Sequence, residues 1–139
     1  MIASGEEILK YIPQRTPIVM VSALYRADEV SADTGLLITS ENIFVDKNHF
    51  TEPGIVEHIA QSAALHAGYG FISIGKPVPI GYIAMVKDLA ILALPKVNEE
   101  LKTHVKVINN IMNVMLVKAE VKANEQIIAS CEMRVFIKE

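Results

Sequence analysis

The residues best suited to proton-transfer chemistry lie in one short stretch of the sequence. His49 lies in an irregular segment just before a predicted helix, where loops commonly display functional side chains. Glu57 follows in the first turn of that helix, His58 adjoins it, and Gln61 lies one turn later. An imidazole titrates near neutral pH, and a carboxyl group can hold or orient a proton. The stretch therefore has the residue types for general acid–base catalysis.

Each of these residues also has a structural interpretation, and the residues alone leave both open. His49 can be a partly exposed loop histidine. Glu57, near the start of a helix, can serve as a partner for the helix dipole. Gln61 can be a structural hydrogen-bonding residue. His58 adjoins Glu57 and is the second candidate for the titrating group, after His49.

The other two histidines and the lack of metal-binding motifs narrow the chemistry further. His104 alternates with Lys102 and Lys106, which predicts a solvated strand face. His66 lies near the end of the predicted helix, where a capping or packing role and a functional role are both open. The sequence contains neither an HExxH nor a CxxC motif. We therefore expect no metal site and no cofactor.

One long helix is predicted from Ile55 to about Phe71, after Pro53 and Gly54. At 100° per residue, one side collects small residues, so another surface could approach its backbone closely. These small residues are Ala60, Ala63, Ala64 and Ala67. A second side collects the polar residues Glu57, His58, Gln61 and Ser62. Unlike an ordinary surface helix, the segment has no Lys or Arg, which predicts burial in the hollow of a curved sheet.

Three later segments alternate apolar and polar residues in the manner of half-buried strands: residues 101–107, 115–121 and 127–137. Short connections around Asn110 and Asn124 favour antiparallel hairpins between them. Together with the long helix, these strands predict an α+β fold with a largely antiparallel sheet.

Before the long helix, two strands are predicted within residues 18–25 and 36–39. A short helix is expected to open the chain, because Ser4 and Glu7 have the spacing of a capping box and Pro13 stops the helix.

The composition favours a small oligomeric protein. The chain has 139 residues, 51% of them hydrophobic, which is enough to bury one core, so we expect a single domain over residues 1–139. The longest apolar runs stop far short of the ~20 residues of a spanning helix, and no membrane span is expected. The apolar surplus instead predicts a homo-oligomer.

Charge and cysteine usage restrict the partners and the location. A formal net charge of −3 provides no basic field for a phosphate backbone, so nucleic acid is not an expected partner. Cys131 is the single cysteine and cannot form an internal disulfide. The first residues lack the basic and apolar segments of a signal peptide. We therefore expect a cytoplasmic protein.

The order of His49-Phe50, Pro53-Gly54 and Glu57-His58-Ile59-Ala60-Gln61 resembles the H-F…P-G…E-x-x-A-Q signature of the hotdog-fold 3-hydroxyacyl-[acyl carrier protein] dehydratases. The likeness extends along the whole chain. Residues 9–21 are similar to the opening helix and first strand of that family, and residues 81–101 are similar to the segment after its long helix. The final hairpin is also similar in length and alternation.

The resemblance implies a hotdog fold, in which a curved antiparallel sheet wraps around one long central helix. It implies a hydro-lyase that converts 3-hydroxyacyl thioesters, on acyl carrier protein or coenzyme A, to trans-2-enoyl thioesters in fatty-acid or polyketide-like synthesis. His49 would take the proton next to the carbonyl, and Glu57 would assist departure of the hydroxyl. Backbone N–H groups near Gly54 would polarise the thioester carbonyl. Gln61 and His58 would lie in the substrate-binding region beside this pair.

The resemblance also implies that more than one chain is needed. In relatives the histidine of one subunit faces the acidic residue of the other, so His49 and Glu57 would meet across a dimer interface. We expect a homodimer or a higher homo-oligomer of dimers.

The chain departs from the signature in three ways. Asn48 replaces the usual glycine before the motif histidine, and Thr51 replaces the usual proline after Phe50. Glu57 follows His49 by 8 residues, which is a shorter separation than usual. This shortened loop is similar to that of relatives associated with aryl-polyene-type pathways, where the acyl chains are unusual.

Two other functions remain open on the sequence. Hotdog acyl-CoA thioesterases use an acidic helix residue with water, and such an enzyme would need Glu57 but not His49. A non-catalytic acyl-binding or partner subunit would also fit the altered loop. An assay of the products distinguishes the three functions. Enoyl thioester indicates the dehydratase, free thiol indicates the thioesterase, and the absence of both indicates the acyl-binding or partner subunit.

Overall fold

The computed structural model describes residues 1–138 and contains one large sheet and one long helix. The elements are β1 (Ala3–Ser4), β2 (Ala23–Ala27), β3 (Ser31–Leu37), β4 (Val45–Asp46), β5 (His49–Phe50), α1 (Glu52–Ser73), β6 (Ile80–Ile91), β7 (Glu100–Ile111), β8 (Val114–Ala123) and β9 (Gln126–Lys138). Seven strands form an antiparallel sheet in the order β1-β2-β3-β7-β8-β9-β6, and β4 pairs with β5 in a separate hairpin.

Helix α1 packs in the hollow of the seven-stranded sheet, and the core lies between them. Ile55, Ile59 and Leu65 on the helix are fully buried. The inward-facing residues of β7, β8 and β9 are buried against the helix, whereas most of the charged residues that alternate with them are exposed. The α+β hotdog arrangement implied by the sequence is therefore confirmed, and so is the long helix.

The strands before the helix differ from the prediction in their bounds. β2 begins only at Ala23, and β3 runs from Ser31 to Leu37, so it begins well before the predicted start at residue 36. Residues 18–22 lie outside β2 because backbone groups at Ile18 and Met20 bond to side chains of α1.

Local signals located the opening helix and one of the two hairpin turns. Gly5–Lys10 forms a 3-10 helix, and the Ser4 N–H donates to the Glu7 carboxylate at 3.2 Å. The β8–β9 turn lies at Asn124, as predicted. The β7–β8 turn lies at Met112 and its neighbour, two residues beyond the predicted position, because the pairing of β7 with β8 continues to Ile111.

The N-terminal segment crosses α1 at Gly68, where two backbones touch. A Cβ on Gly68 would lie 1.8 Å from the backbone oxygen of Tyr11. The close approach predicted for the alanine side of the helix therefore occurs at a glycine. Ala63 is buried in the core, whereas Ala60 and Ala64 line a cavity.

We expect Gly68→Ala to lower the free energy of unfolding by about 3 kcal/mol, because backbone cannot move aside as a flexible side chain can. Urea unfolding measures this change. Gly70→Ala is the matched control in the same helix, since nothing lies within 4 Å of a Cβ there. It should raise the free energy by about 0.5 to 1 kcal/mol through helix propensity. Equal effects of the two substitutions would contradict the contact.

Candidate active site

The β4–β5 hairpin holds His49 directly before helix α1. Asp46 pairs with His49, and the turn residues Lys47 and Asn48 have φ angles of 49° and 66°. Asparagine adopts this left-handed conformation more readily than most residues, so Asn48 can replace the glycine that is usual in the signature. On its other side His49 forms a β-bridge with Lys96. The histidine backbone is therefore fixed from both sides.

The hydrogen bond of the His49 ring defines its neutral tautomer. Nδ1 lies 2.9 Å from the backbone oxygen of Lys47, and a carbonyl oxygen only accepts, so Nδ1–H is the donor. Nε2 then carries the lone pair that a base needs. The residue is half-buried, which leaves the ring accessible at the surface of the chain.

The start of α1 leaves a backbone donor unused. Thr51 is the N-cap residue, but its hydroxyl donates to the Phe44 oxygen at 2.6 Å instead of accepting from the helix. Among the described residues, the N–H of Gly54 has no hydrogen-bond acceptor. A Cβ on Gly54 would lie 2.6 Å from the Phe50 ring and 2.7 Å from Phe44. Packing against these two residues therefore requires glycine at this position.

Glu57 and Gln61 form the polar pair of the helix. The carboxylate of Glu57 accepts a hydrogen bond from Gln61 Nε2 at 2.8 Å. Gln61 also donates to the Ile18 oxygen at 2.8 Å and accepts from the Met20 N–H at 2.6 Å. Because Gln61 is fully buried and both N–H groups of its amide are engaged, its side chain is fixed in place and orients Glu57.

The expected position of Glu57 in the first helical turn is wrong. The helix begins at Glu52, three residues before the predicted start, so Glu57 lies in the second turn. The acidic residue of the first turn is Glu52. The dipole interpretation of Glu57 therefore loses its basis, since that effect is confined to the first turn.

His58 is fully buried, and both of its ring nitrogens are bonded. Nδ1–H donates to the Met20 oxygen at 2.6 Å, and Nε2 accepts from the Thr103 hydroxyl at 2.7 Å. Burial lowers the pKa of His58 to about 4, so the ring is neutral at neutral pH. The structure therefore gives His58 the role of joining α1 to the N-terminal segment and to β7.

Glu57 lines a cavity of about 230 Å³ between α1 and the β6 edge of the sheet. The other lining residues are Gln14, Ala60, Ala64, Gly81, Tyr82, Ile83 and Val135. Small and apolar side chains beside one carboxylate suit an acyl chain with its reacting end near an acid. Gln14 was not a sequence candidate, because an isolated glutamine in a proline-rich segment produces no periodic pattern.

The structure brings Glu57 and Gln61 together, but it does not bring His49 to them within one chain. His49 does not line the cavity. In residues 1–138, no hydrogen bond or ion pair joins His49 to Glu57.

The two remaining histidines, His66 and His104, contact polar groups outside the Glu57 cavity. His66 donates from Nε2 to the Asp28 oxygen at 2.7 Å, and His104 lies 2.7 Å from the exposed carboxylate of Asp33. Over the part of the chain that is described, no cluster of three or more His, Cys, Asp or Glu side chains is placed to hold a metal ion. Of the helices within residues 1–138, none combines the length and apolar character needed to cross a membrane.

A protein-family model described as "ApeP-like: ApeP dehydratase" matches residues 6–139. The chain belongs to the ApeP-like dehydratase family. The match includes the whole stretch from His49 to Gln61 and nearly all of the sheet. Membership in this family makes the protein a dehydratase, a hydro-lyase, and confirms the class of activity that the resemblance implied.

Solved structures share the fold of this ApeP-like chain. A chain of "The Dehydratase Heterocomplex ApeI:P from Xenorhabdus doucetiae" has a TM-score of 0.89 at 9% identity, over 95% of this chain and 91% of that one. An uncharacterised protein from Pyrococcus horikoshii has a TM-score of 0.71 at 16% identity, over 100% and 96%. A hypothetical thioesterase with coenzyme A from Streptococcus pneumoniae has a TM-score of 0.65 at 9% identity, over 83% and 84%. No curated protein sequence matches the chain significantly.

We expect the stability to fall as the pH drops from 6.5 to 4. Because burial depresses the pKa of His58 from 6.5 to about 4, only the unfolded chain takes up this proton between those values. The contribution of neutral His58 to the free energy of unfolding is complete above the pKa of the unfolded chain. About 3 kcal/mol of that free energy is lost on acidification. Urea unfolding should show a smaller loss in His58→Gln than in the wild type. His104→Gln, on the exposed face, should keep the wild-type loss, and equal behaviour of the two variants would contradict this prediction.

Proposed function

We propose that this ApeP-like dehydratase removes water from 3-hydroxyacyl thioesters, carried by acyl carrier protein or coenzyme A, and forms trans-2-enoyl thioesters. Family membership supports the reaction class. The observation that carries the assignment of residues is the Glu57 carboxylate, held by Gln61 at the wall of an otherwise largely apolar cavity. A cytoplasmic location goes with this proposal, and the single free cysteine supports it.

His49 is the proposed base. Its Nε2 takes the proton from C2, next to the thioester carbonyl, because the other ring nitrogen already donates to Lys47. The electron pair of the broken C2–H bond forms the C2–C3 double bond. The hydroxyl leaves C3 as water with a proton from the protonated Glu57 carboxyl group, and the proton that His49 took from C2 then returns to Glu57, so that no oxidant or reductant is required.

The N–H of Gly54 is proposed to bind the thioester oxygen. Negative charge builds up on that oxygen as C2 loses its proton, and a preorganised N–H at a positive helix end stabilises it. The Thr51 hydroxyl does not compete for this position, since it donates to Phe44 instead.

A second chain is proposed to complete the site. β6 is the last strand of the sheet, it is 12 residues long, and it exposes apolar side chains. Tyr82 is 53% exposed, Ile83 is 42% exposed and Met85 is 46% exposed. A long apolar edge of this kind is a template for another strand. Since Tyr82 and Ile83 also line the Glu57 cavity, a chain paired here would cover the cavity and can supply His49.

A second copy of this chain is the proposed occupant of the edge, which gives a homodimer. The related structure from Xenorhabdus doucetiae comes from a heterocomplex, and this supports a partner chain in general. A different chain of the same fold is therefore the alternative occupant. Purifying the protein expressed by itself distinguishes the two, because only a homodimer forms without the other chain.

We expect His49→Ala and Glu57→Gln each to lower the rate of enoyl thioester formation by at least about 100-fold, because each removes a group that moves a proton. The assay follows the enoyl absorbance of a 3-hydroxyacyl thioester and, in parallel, free thiol. His104→Ala is the matched control, since that histidine pairs with Asp33 on the exposed face.

Enoyl product that survives both substitutions would contradict the assignment of the two residues. Thiol release that needs Glu57 but not His49 would indicate a thioesterase. Neither product, with the correct carrier offered, would indicate an acyl-binding subunit.

We expect the wild-type mass in solution to be twice the chain mass of 15.3 kDa or a multiple of that dimer. Met85→Lys should shift it towards the monomer, because a buried unpaired ammonium opposes association. Val30→Lys is the matched control, since Val30 is 49% exposed and lies away from β6. Light scattering after size-exclusion chromatography measures the mass. A monomeric wild type, or dissociation by the control alone, would contradict the β6 interface.

A further inference from the structure

A single buried side-chain polar atom lacks a hydrogen-bond partner in residues 1–138, and it belongs to Gln14. The atom is Oε1. Leaving a buried acceptor unpaired is destabilising, and nearly all buried polar atoms in proteins are paired. An exception beside a cavity is therefore informative, because a bound group can provide the missing donor.

The backbone around Gln14 is held firmly. Arg15 donates from Nη1 to the Ile12 oxygen at 2.8 Å and to the Gln14 oxygen at 2.7 Å. Before it, the backbone of Tyr11 lies directly against Gly68 of α1. Gln14 is thus fixed relative to the helix by contacts that do not involve its own side chain.

The segment is also held after Gln14. Gln61 donates to the Ile18 oxygen at 2.8 Å, and the same amide holds the Glu57 carboxylate. Gln14 and Glu57 are therefore placed by one connected framework. Both line the 230 Å³ cavity, whose remaining walls are alanine, glycine, tyrosine, isoleucine and valine.

The chemistry of the substrate decides what the Gln14 oxygen would accept. In the reacting part of a 3-hydroxyacyl thioester, the carbonyl oxygen and the sulfur are acceptors, and the 3-hydroxyl is the donor. The terminal torsion of glutamine is broad, so the amide can turn its oxygen towards a ligand at little cost. A hydroxyl that donates to Gln14 keeps its lone pairs available for the proton of Glu57.

We propose that Gln14 is a substrate-binding residue whose amide oxygen accepts the 3-hydroxyl and holds it beside Glu57, so that the site prefers 3-hydroxyacyl chains to chains without the hydroxyl. This inference rests on the proposed function. The enoyl product has no hydroxyl, so the bond to Gln14 exists with the substrate and is lost with the product. The unpaired Gln14 oxygen is the structural counterpart of that selectivity.

Two unreactive probes test the proposal by calorimetry. They are a 2,2-difluoro-3-hydroxyacyl pantetheine amide and the same compound without the 3-hydroxyl. Neither has a C2 hydrogen, so neither can be dehydrated, and binding is measured independently of turnover. We expect the wild type to bind the hydroxyl probe about tenfold more tightly, the usual effect of one hydrogen bond.

Gln14→Met keeps the length of the side chain and removes the amide. We expect it to abolish the preference between the two probes while the affinity for the probe without the hydroxyl stays the same. The melting temperature should rise by about 3 °C, because the unpaired buried oxygen is gone. Gln126→Met, the same change at an exposed position of β9, should alter neither quantity.

A preference that persists in Gln14→Met, or is missing in the wild type, would overturn the proposal. A lower melting temperature with equal loss of affinity for both probes would also overturn it, since Gln14 would then only support the fold. A hydroxyl preference that depends on Gln14, found together with no enoyl product from ordinary substrates, would support this binding role and count against the dehydration reaction alone.

Discussion

The side-chain amide of Gln61 is the contact on which the arrangement of the site most depends. It accepts the N–H of Met20, donates to the oxygen of Ile18 and donates to the carboxylate of Glu57. Because Gln61 is fully buried, removal of its amide would leave three polar groups without their partner. This is more destabilising than the loss of three exposed hydrogen bonds. One side chain therefore fixes both the path of the N-terminal segment and the orientation of the proposed acid.

The rest of the structure follows from that connection. Because α1 holds residues 18–20 with side chains, this segment runs along the helix instead of joining β2, and it closes one side of the Glu57 cavity with Gln14. The opposite side of the cavity is the apolar edge strand β6. His49 is held separately, by its hairpin and by its bridge to Lys96, and in the proposed dimer the second chain brings it to Glu57.

The elements that depend on hydrophobic periodicity and on turn-forming residues could be predicted from the sequence. The long helix, the alternating strands β7 to β9 and the α+β fold come from such local signals. The bounds of β2 could not be predicted, because they depend on hydrogen bonds to His58 and Gln61, about 40 residues away. Within the site, the spacing from His49 to Gln61 identified the candidates, but not that His58 and Gln61 are buried and fully bonded. No sequence pattern identified Gln14, because its distinguishing feature is a buried side-chain oxygen without a hydrogen-bond partner, which only the structure shows.

In the proposed dimer, His49 of one chain and Glu57 of the other act in one site. A dimer that combines His49→Ala in one chain with Glu57→Gln in the other, isolated through two different affinity tags, tests it directly. We expect about half of the wild-type activity, because one of the two symmetric sites then keeps both residues although each variant alone is inactive. A mixed dimer as inactive as its parents would contradict the shared site.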